Sequence, residues 1–177
     1  METRLLNIFI TGTSRGIGAA IADALVRRGH RIVGHSSRID PDGPVVGYPM
    51  VPADFSDFRG PQMAWTEALD MLGGRIDVLI NNAGLFENNP IDRGDAEWLA
   101  AWDETMTINL TASAQLSRLM VRHCQQRGGS GRIVNIASRA AYRGDSAEHW
   151  HYAASKGGMV AMTKSIARAY AAQGIYA

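Results

Sequence analysis

The stretch that decides the fold lies near the amino terminus, where residues 11–18 read Thr-Gly-Thr-Ser-Arg-Gly-Ile-Gly. An apolar run at residues 7–11 precedes it, and residues 17–28 follow it with apolar side chains at helical spacing. A glycine-rich turn between a strand and a helix lets backbone N–H groups and the helix N-terminus approach a phosphate closely. Glycine trios also occur in ordinary strand-to-helix turns, so this stretch alone leaves both interpretations open.

The spacing of the apolar residues changes repeatedly along the chain, from the pattern of a strand to that of a helix. Further short apolar runs predict buried strands at residues 31–35, 48–53, 76–81 and 132–137. Helical patterns cover residues 61–72, 96–127 and 152–173, while residues 40–47, with two prolines and two glycines, predict a loop. Strands that alternate with helices predict an α/β fold, in which a doubly wound parallel sheet carries helices on both faces.

Composition and charge exclude several classes of protein. The chain has 177 residues, of which 46% are hydrophobic and 20% charged, and this excludes disorder and collagen-like repetition. A formal net charge of +1 gives no electrostatic reason to expect nucleic acid or a membrane as partner. Cys124 is the only cysteine, so an intrachain disulfide is excluded, and the apolar run at residues 5–10 is too short for a membrane helix. We expect a cytoplasmic protein with a small-molecule site.

The end of the sequence has the pattern of a further strand. Residues 174–177 read Gly-Ile-Tyr-Ala, and they follow the last helical pattern. In a doubly wound sheet the ligand crevice is built by segments beyond the carboxyl ends of the strands. We therefore expect residues 1–177 to form a single domain that is truncated at its C-terminus and lacks the later strands of such a sheet.

Three further motifs identify a family when they are taken in order with the glycine turn. Asn81-Asn82-Ala83-Gly84 closes the fourth predicted strand, Ser138 follows the fifth, and Tyr152-Ala153-Ala154-Ser155-Lys156 opens the last helix. In this order they resemble the short-chain dehydrogenase/reductase family, and within it the 3-oxoacyl-ACP-reductase-like members. The resemblance covers essentially the whole chain. It implies a Rossmann-like domain that binds NAD(P), and an oxidoreductase.

The resemblance also implies which dinucleotide the chain binds. In the family, the residue that ends the second strand usually decides between NAD and NADP, because a carboxylate there binds the ribose 2′-hydroxyl and repels a 2′-phosphate. Here that region reads His35-Ser36-Ser37-Arg38, without an acid. Ser37, Arg38 and Arg15 can bind a phosphate, which favours NADP(H) and leaves NAD(H) as the alternative. Arg38 could equally be a solvated loop charge, and the nearby Asp40 complicates the choice.

Other positions match family contacts to the adenosine. Asp54 matches an acidic contact to adenine, although it could instead cap a helix over residues 55–59, and Asn82 matches a contact to the ribose. By this resemblance, the residues expected to bind the dinucleotide are Gly12, Ser14, Arg15, Gly16, Ile17, Gly18, Ser37, Arg38, Asp54, Phe55, Asn82, Ala83, Gly84, Tyr152 and Lys156.

Four residues are candidates for the chemistry. Reduction of a ketone needs a proton donor for the developing alkoxide, and a cation one helical turn away, as Lys156 is from Tyr152, favours the phenolate of such a donor. The resemblance assigns the proton to Tyr152, the ribose hydroxyls to Lys156 and the substrate oxygen to Ser138. It also implies that Asn109 supports a water leading to Lys156. An asparagine among apolar helix neighbours could instead mark a cap or a kink.

The segment between Ser138 and Tyr152 is polar and should border the substrate. Arg139 or Arg143 would favour an acidic or polyhydroxylated substrate if they faced the pocket, but loop charges of this kind more often face solvent. His149 and His151 have the spacing of metal ligands without an evident third ligand, so we expect no metal.

The function predicted is hydride transfer between NADPH and a small carbonyl or secondary alcohol. A catalytically inactive, truncated nucleotide-binding protein is the alternative, and a family member that uses nicotinamide transiently, as epimerases do, ranks last. In related proteins the long helix and the helix with the Tyr-Lys pair meet between subunits. We therefore expect a homo-oligomer, a tetramer or a dimer, although the same helical faces could pack within one chain.

Overall fold

The computed structural model describes residues 5–38 and 46–177. Its strands are β1 (Asn7–Ile10), β2 (Arg31–Ser36), β3 (Met50–Pro52), β4 (Val78–Asn81), β5 (Gly131–Asn135) and β6 (Ile175–Tyr176). Its α-helices are α1 (Gly16–Val26), α2 (Gly60–Met71), α3 (Asp95–Met106), α4 (Ala112–Gln126), α5 (Ala140–Arg143) and α6 (Trp150–Tyr170). A π-helical turn, Thr107–Thr111, joins α3 to α4. Across these described ranges, none of the helices is both long and apolar enough to cross a membrane.

All strands are parallel and form one sheet in the order β3-β2-β1-β4-β5-β6. The order runs outward in both directions from β1, whose Phe9 is paired with Val33 of β2 on one side and with Leu79 of β4 on the other. The chain leaves β1 toward β2 on one side, and it leaves β4 toward β5 on the other side. Where neighbouring strands are followed by connections in opposite directions, a crevice opens at their carboxyl ends, here those of β1 and β4. The predicted doubly wound sheet is therefore confirmed, and its crevice lies where the glycine turn begins.

Alternate side chains of β1 enter two different cores. Phe9 belongs to a fully buried cluster with Leu79, Leu116 and Met120, which packs α2 and α4 on one face of the sheet. Ile8 and Ile10 face the other way and join a cluster that includes Ala22 of α1. This alternation follows from the two-residue period of a strand. Burial of each large side chain contributes about 1.5–3 kcal/mol, so both helical layers are fixed to the sheet.

The predicted strands are confirmed, although several are shorter than predicted and β3 is shortened most. Residues 48–53 were expected to be extended, but β3 is limited to Met50–Pro52 and lies at the edge of the sheet. Pro52 cannot donate a ladder hydrogen bond, which an edge strand tolerates and a central strand does not. The predicted sixth strand is also present, as β6 beside β5. Most of the predicted loop at residues 40–47, with Asp40 in it, lies outside the described residues.

The helical stretch predicted over residues 96–127 is present at residues 95–126, but the π-helical turn inside it was not predicted. The helix is interrupted at Thr107–Thr111 by the π-helical turn, which contains the buried Asn109. Turns of this kind hold an additional residue and frequently occur at functional sites. The short helix α5 was likewise not predicted, because four residues are too few to show a helical period.

The turn between β1 and α1 is packed against its neighbours so closely that two glycines are required. Gly12 has a φ of +69°, and a Cβ there would lie 2.8 Å from the Cα of Ala83. Gly18, in the first turn of α1, is buried against the carbonyl of Gly12 and the side chain of Asn82, and a Cβ would overlap both. These contacts place the N-terminus of α1 directly against the end of β4.

We expect Gly18→Ala to lower the free energy of unfolding by about 1–3 kcal/mol, because the overlap with backbone cannot be relieved by a rotamer change. Gly157→Ala is the matched control: it lies inside α6, where a Cβ would meet only the Ala141 carbonyl at 3.9 Å. The control should be neutral or stabilising by about 0.5–1 kcal/mol. Urea unfolding of both variants measures this, and equal effects would contradict the close approach.

Candidate active site

A cavity of about 440 Å³ opens at the carboxyl ends of β1, β2 and β4. Residues expected to bind a dinucleotide make up most of its lining: Gly12, Ser14, Arg15, Gly16, Ile17, Ser37, Asp54, Phe55, Asn82, Ala83 and Gly84. The helix α1 begins at Gly16, and no side chain caps its first turn. Gly16 and Ile17 of this turn line the cavity, and the uncapped N-terminus of a helix favours an anion.

Four of the expected residues do not line this cavity. Gly18 lies buried beneath the turn, where it permits the close packing described above. Arg38 is exposed at the end of β2. Tyr152 and Lys156 lie in α6. Gly84 lies between the cavity and α6. It lines the cavity, and a Cβ on it would be 3.6 Å from Lys156 Nζ.

His35 was not predicted as a site residue, yet it forms part of the cavity wall. Its buried ring accepts a hydrogen bond at Nδ1 from the Gly12 backbone N–H, at 3.2 Å. Its Nε2 lies 2.9 Å from the Ala53 carbonyl, and because a carbonyl only accepts, Nε2 carries the proton. The ring also stacks on Phe55, with centroids 4.0 Å apart. One side chain thus fixes the glycine turn to the segment that follows β3.

Asn82 and Thr11 connect the ends of β1 and β4. The Asn82 amide donates to the carbonyls of Thr11, at 3.0 Å, and Gly12, at 2.8 Å. In return the Thr11 hydroxyl accepts the backbone N–H groups of Asn82 and Ala83, both at 3.0 Å. The structure therefore gives Asn82 a positioning role, and its expected contact to a ribose stays a prediction.

Asp54 is not a helix cap, because α2 begins only at Gly60 and follows Arg59. Its Oδ1 instead accepts hydrogen bonds from the backbone N–H and the hydroxyl of Ser56, both at 2.8 Å. These bonds lower the pKa of the Asp54 carboxyl, with a smaller contribution from the positive charge of Arg38. The cavity therefore carries a fixed negative charge on its β3 side.

The Tyr152 and Lys156 side chains share one face of α6. Lys156 Nζ lies 5.8 Å from the centroid of the Tyr152 ring and donates to the Ile136 carbonyl at 2.9 Å. The side chain is buried, and burial lowers the pKa of Lys156 to about 8. The ammonium is still the majority form at pH 7, so a positive charge is held close to the phenol.

Asn109 lies in the π-helical turn between α3 and α4 and is buried. Its Oδ1 accepts the Leu85 N–H at 2.6 Å, and its Nδ2 donates to the Leu85 carbonyl at 3.0 Å and to Ser155 Oγ at 3.2 Å. A Cβ on Gly84 would lie 3.3 Å from Asn109 Oδ1. Asn109 therefore connects the turn after β4 to α6, while its expected part in a water chain to Lys156 stays a prediction.

Ser138 lies between β5 and α5. Its hydroxyl oxygen accepts the Ala140 N–H at 3.1 Å, which fixes the start of α5 and leaves the hydroxyl proton available to an acceptor. Arg139 and Arg143, which could have faced the substrate, are exposed. His149 and His151 are both buried, with ring centroids 6.3 Å apart. Within residues 5–38 and 46–177, no three histidine, cysteine or acidic side chains are arranged to hold a metal ion.

Burial of His35 makes folding depend on pH. Burial lowers the pKa of His35 from 6.5 to about 4, against a smaller opposing effect of its bond to Ala53. Above pH 6.5 the ring is neutral in both states. Between pH 6.5 and 4 the unfolded chain binds a proton that the folded chain does not, so stability falls as the pH falls.

We expect the native chain to lose about 3 kcal/mol more than His35→Asn between pH 7 and pH 4. Burial also lowers the pKa values of His123 and His151, but these residues are common to both proteins and cancel in the comparison. Urea unfolding at the two pH values measures the difference. Identical losses in the two proteins would show that His35 is not held neutral.

Comparison with known proteins identifies short-chain dehydrogenases as relatives of this chain. The family model for short chain dehydrogenases matches residues 6–177. The 3-oxoacyl-[acyl-carrier-protein] reductase FabG of Vibrio cholerae is 33% identical, over 94% of this chain and 68% of that protein. The short chain dehydrogenase adrF of Penicillium roqueforti is also 33% identical, over 95% of this chain and 65% of that protein.

Solved structures give the same match at the level of the fold. The aldohexose dehydrogenase of Thermoplasma acidophilum superposes with a TM-score of 0.82 and 27% identity, over 97% of this chain and 64% of that one. A 4-hydroxyisoleucine dehydrogenase complexed with NADH also has a TM-score of 0.82, with 25% identity, over 96% of this chain and 71% of that one. The chain thus spans about two thirds of the length of these proteins.

Proposed function

The chain belongs to the short-chain dehydrogenase family, and from this premise we propose that it transfers hydride between NADP(H) and a small carbonyl or secondary alcohol. The observation that carries the proposal is the position of Gly84. This residue lines the cavity beside the N-terminus of α1 and also faces the ammonium of Lys156, 3.6 Å from where its Cβ would be. A dinucleotide whose phosphates lie at the helix would therefore extend toward Tyr152.

The residues present fit such a cofactor. Gly16 has a φ of +61° with open space around it, so a phosphate can approach the backbone at the start of α1. Arg15 and Ser14 line the same part of the cavity and can donate to phosphate oxygens. When bound, the reduced cofactor supplies the hydride that adds to the carbonyl carbon.

The chain's own residues then handle the proton. Tyr152 donates its phenolic proton to the carbonyl oxygen as that oxygen gains negative charge, and the phenolate left behind is stabilised by the nearby Lys156 ammonium. The Ser138 hydroxyl orients the substrate oxygen by donating to it. In the direction of alcohol oxidation, the same groups return the proton to Tyr152.

The charge around the end of β2 supports NADP(H) over NAD(H). Ser37 lines the cavity, Arg15 lies across from it on the glycine turn, and Arg38 is near enough to Asp54 to lower the pKa of that carboxyl. The side chains at residues 35–38 include no acid that would repel a 2′-phosphate. The carboxylate of Asp54 would repel a 2′-phosphate, so NAD(H) remains the alternative cofactor.

We further propose that α4 and α6 form the interface of a homo-oligomer, a dimer or a tetramer. The two helices pack beside each other, and a groove of about 410 Å³ lies between them. Its walls combine apolar and basic side chains, including Val121, Met162, Ile166 and Arg118. This composition is typical of an interface core with a polar rim.

The double variant Ser37→Ala, Arg38→Ala should weaken NADPH binding by about 1–3 kcal/mol, because charge-assisted bonds to the 2′-phosphate are lost. NADH binding should be nearly unchanged, since NADH has no phosphate there. Fluorescence titration of both nucleotides measures the two affinities. Arg28→Ala, which removes an exposed charge of the α1 C-terminal end, is the matched control. Equal losses for NADPH and NADH would contradict the phosphate assignment.

Tyr152→Phe should lower kcat for carbonyl reduction by a factor of about 10²–10⁴, because the proton donor is removed while the ring remains. Its affinity for NADPH should stay nearly unchanged. Tyr176→Phe, which alters an exposed tyrosine on β6, is the control and should keep full activity. Steady-state kinetics and a nucleotide titration measure both effects. Full activity of Tyr152→Phe would show that Tyr152 is not the proton donor. If the native chain binds NADPH but reduces no carbonyl compound, the result would favour a non-catalytic nucleotide-binding protein.

A further inference from the structure

Phe86 is a large aromatic residue that stands beside the proton donor and is left half open to solvent. It follows the Asn-Asn-Ala-Gly turn, and 56% of its surface is exposed. Its ring meets the Tyr152 ring edge to face, with centroids 4.7 Å apart and an angle of 78° between the planes. The exposed part of the ring is an apolar surface, and its burial by an apolar group of a ligand would be favourable.

One face of the Phe86 ring packs against a buried histidine. The His149 imidazole stacks on it in parallel, with centroids 4.1 Å apart and planes 10° from parallel. His149 is only 8% exposed, and its Nδ1 lies 2.7 Å from the Ser146 hydroxyl, so the stacking partner is itself fixed. The Asn89 N–H also donates to the Glu148 carbonyl at 2.9 Å, which ties the two segments together.

The backbone before the ring is fixed as well. Leu85 uses both its N–H and its carbonyl in hydrogen bonds with the buried Asn109 side chain, at 2.6 and 3.0 Å. Phe86 thus has a defined backbone position on one side and a defined stacking partner on the other. A side chain that is constrained in this way presents the same apolar surface to every ligand that reaches Tyr152.

We infer that Phe86 is a specificity-determining residue that binds an aryl group attached to the substrate's carbonyl carbon. This inference rests on the proposed oxidoreductase function. An aryl ring placed against Phe86 would leave the adjacent carbonyl oxygen within reach of the Tyr152 phenol, which contacts the same ring.

The test compares the effect of each variant on acetophenone, an aryl ketone, with its effect on butan-2-one, an alkyl ketone, in the presence of NADPH. Phe86→Ala should lower kcat/KM for acetophenone about tenfold and for butan-2-one less than about threefold. Phe86→Tyr keeps the ring and should stay within about threefold of the native chain for both ketones. Phe58→Ala removes a phenylalanine that is 72% exposed and does not line the cavity, and it should change neither value.

Equal losses for the two ketones in Phe86→Ala would overturn the inference, because they would show that Phe86 only positions Tyr152. Binding of acetophenone to the NADPH-bound chain, followed by saturation-transfer NMR, gives a readout that does not need turnover. If the native chain reduces neither ketone but binds acetophenone through Phe86, the inference stands and the proposed activity fails. If both ketones are reduced and Phe86→Ala has no selective effect in either assay, the activity stands and the inference fails.

Discussion

The close approach of two backbone turns, after β1 and after β4, is the constraint on which the rest of the site depends. Gly12 lies against Ala83 so tightly that no side chain fits between them, and Asn82 and Thr11 exchange hydrogen bonds across the gap. The approach places the N-terminus of α1 beside the end of β4. It thereby creates one continuous surface, with the uncapped N-terminus of α1 on one side and Gly84 on the other.

A second set of hydrogen bonds connects that surface to α6, which carries Tyr152, the proposed proton donor. Asn109 in the π-helical turn binds Leu85, next to Gly84, and also reaches Ser155 in α6. Lys156 follows Ser155, and its buried ammonium is anchored on the Ile136 carbonyl after β5. The cavity at the glycine turn and the Tyr-Lys pair are therefore connected through hydrogen bonds. The extra residue of the π-helical turn belongs to this connection.

Much of this arrangement could be predicted from local patterns. The glycine turn, the alternation of strands and helices, and the one-turn spacing of Tyr152 and Lys156 are properties of neighbouring residues, and all of them are present in the structure. What was missed depends on contacts between distant residues. His35 has no local pattern that marks it as a cavity wall, since its partners are Gly12 and Ala53. The π-helical turn could not be read from a helical period, although a polar Asn109 among apolar neighbours indicated that something unusual was present.

The central claim is that the cavity between the glycine turn and the Asn-Asn-Ala-Gly turn holds a dinucleotide that extends to Tyr152. The most direct test is an NMR titration of the isotopically labelled chain with NADPH. We expect saturable shifts in the backbone amides of Gly12, Gly16 and Gly84 and in the Lys156 side chain, while amides of the groove between α4 and α6 stay unchanged. Absence of binding by the folded chain, or shifts confined to surfaces away from these two turns, would contradict the claim.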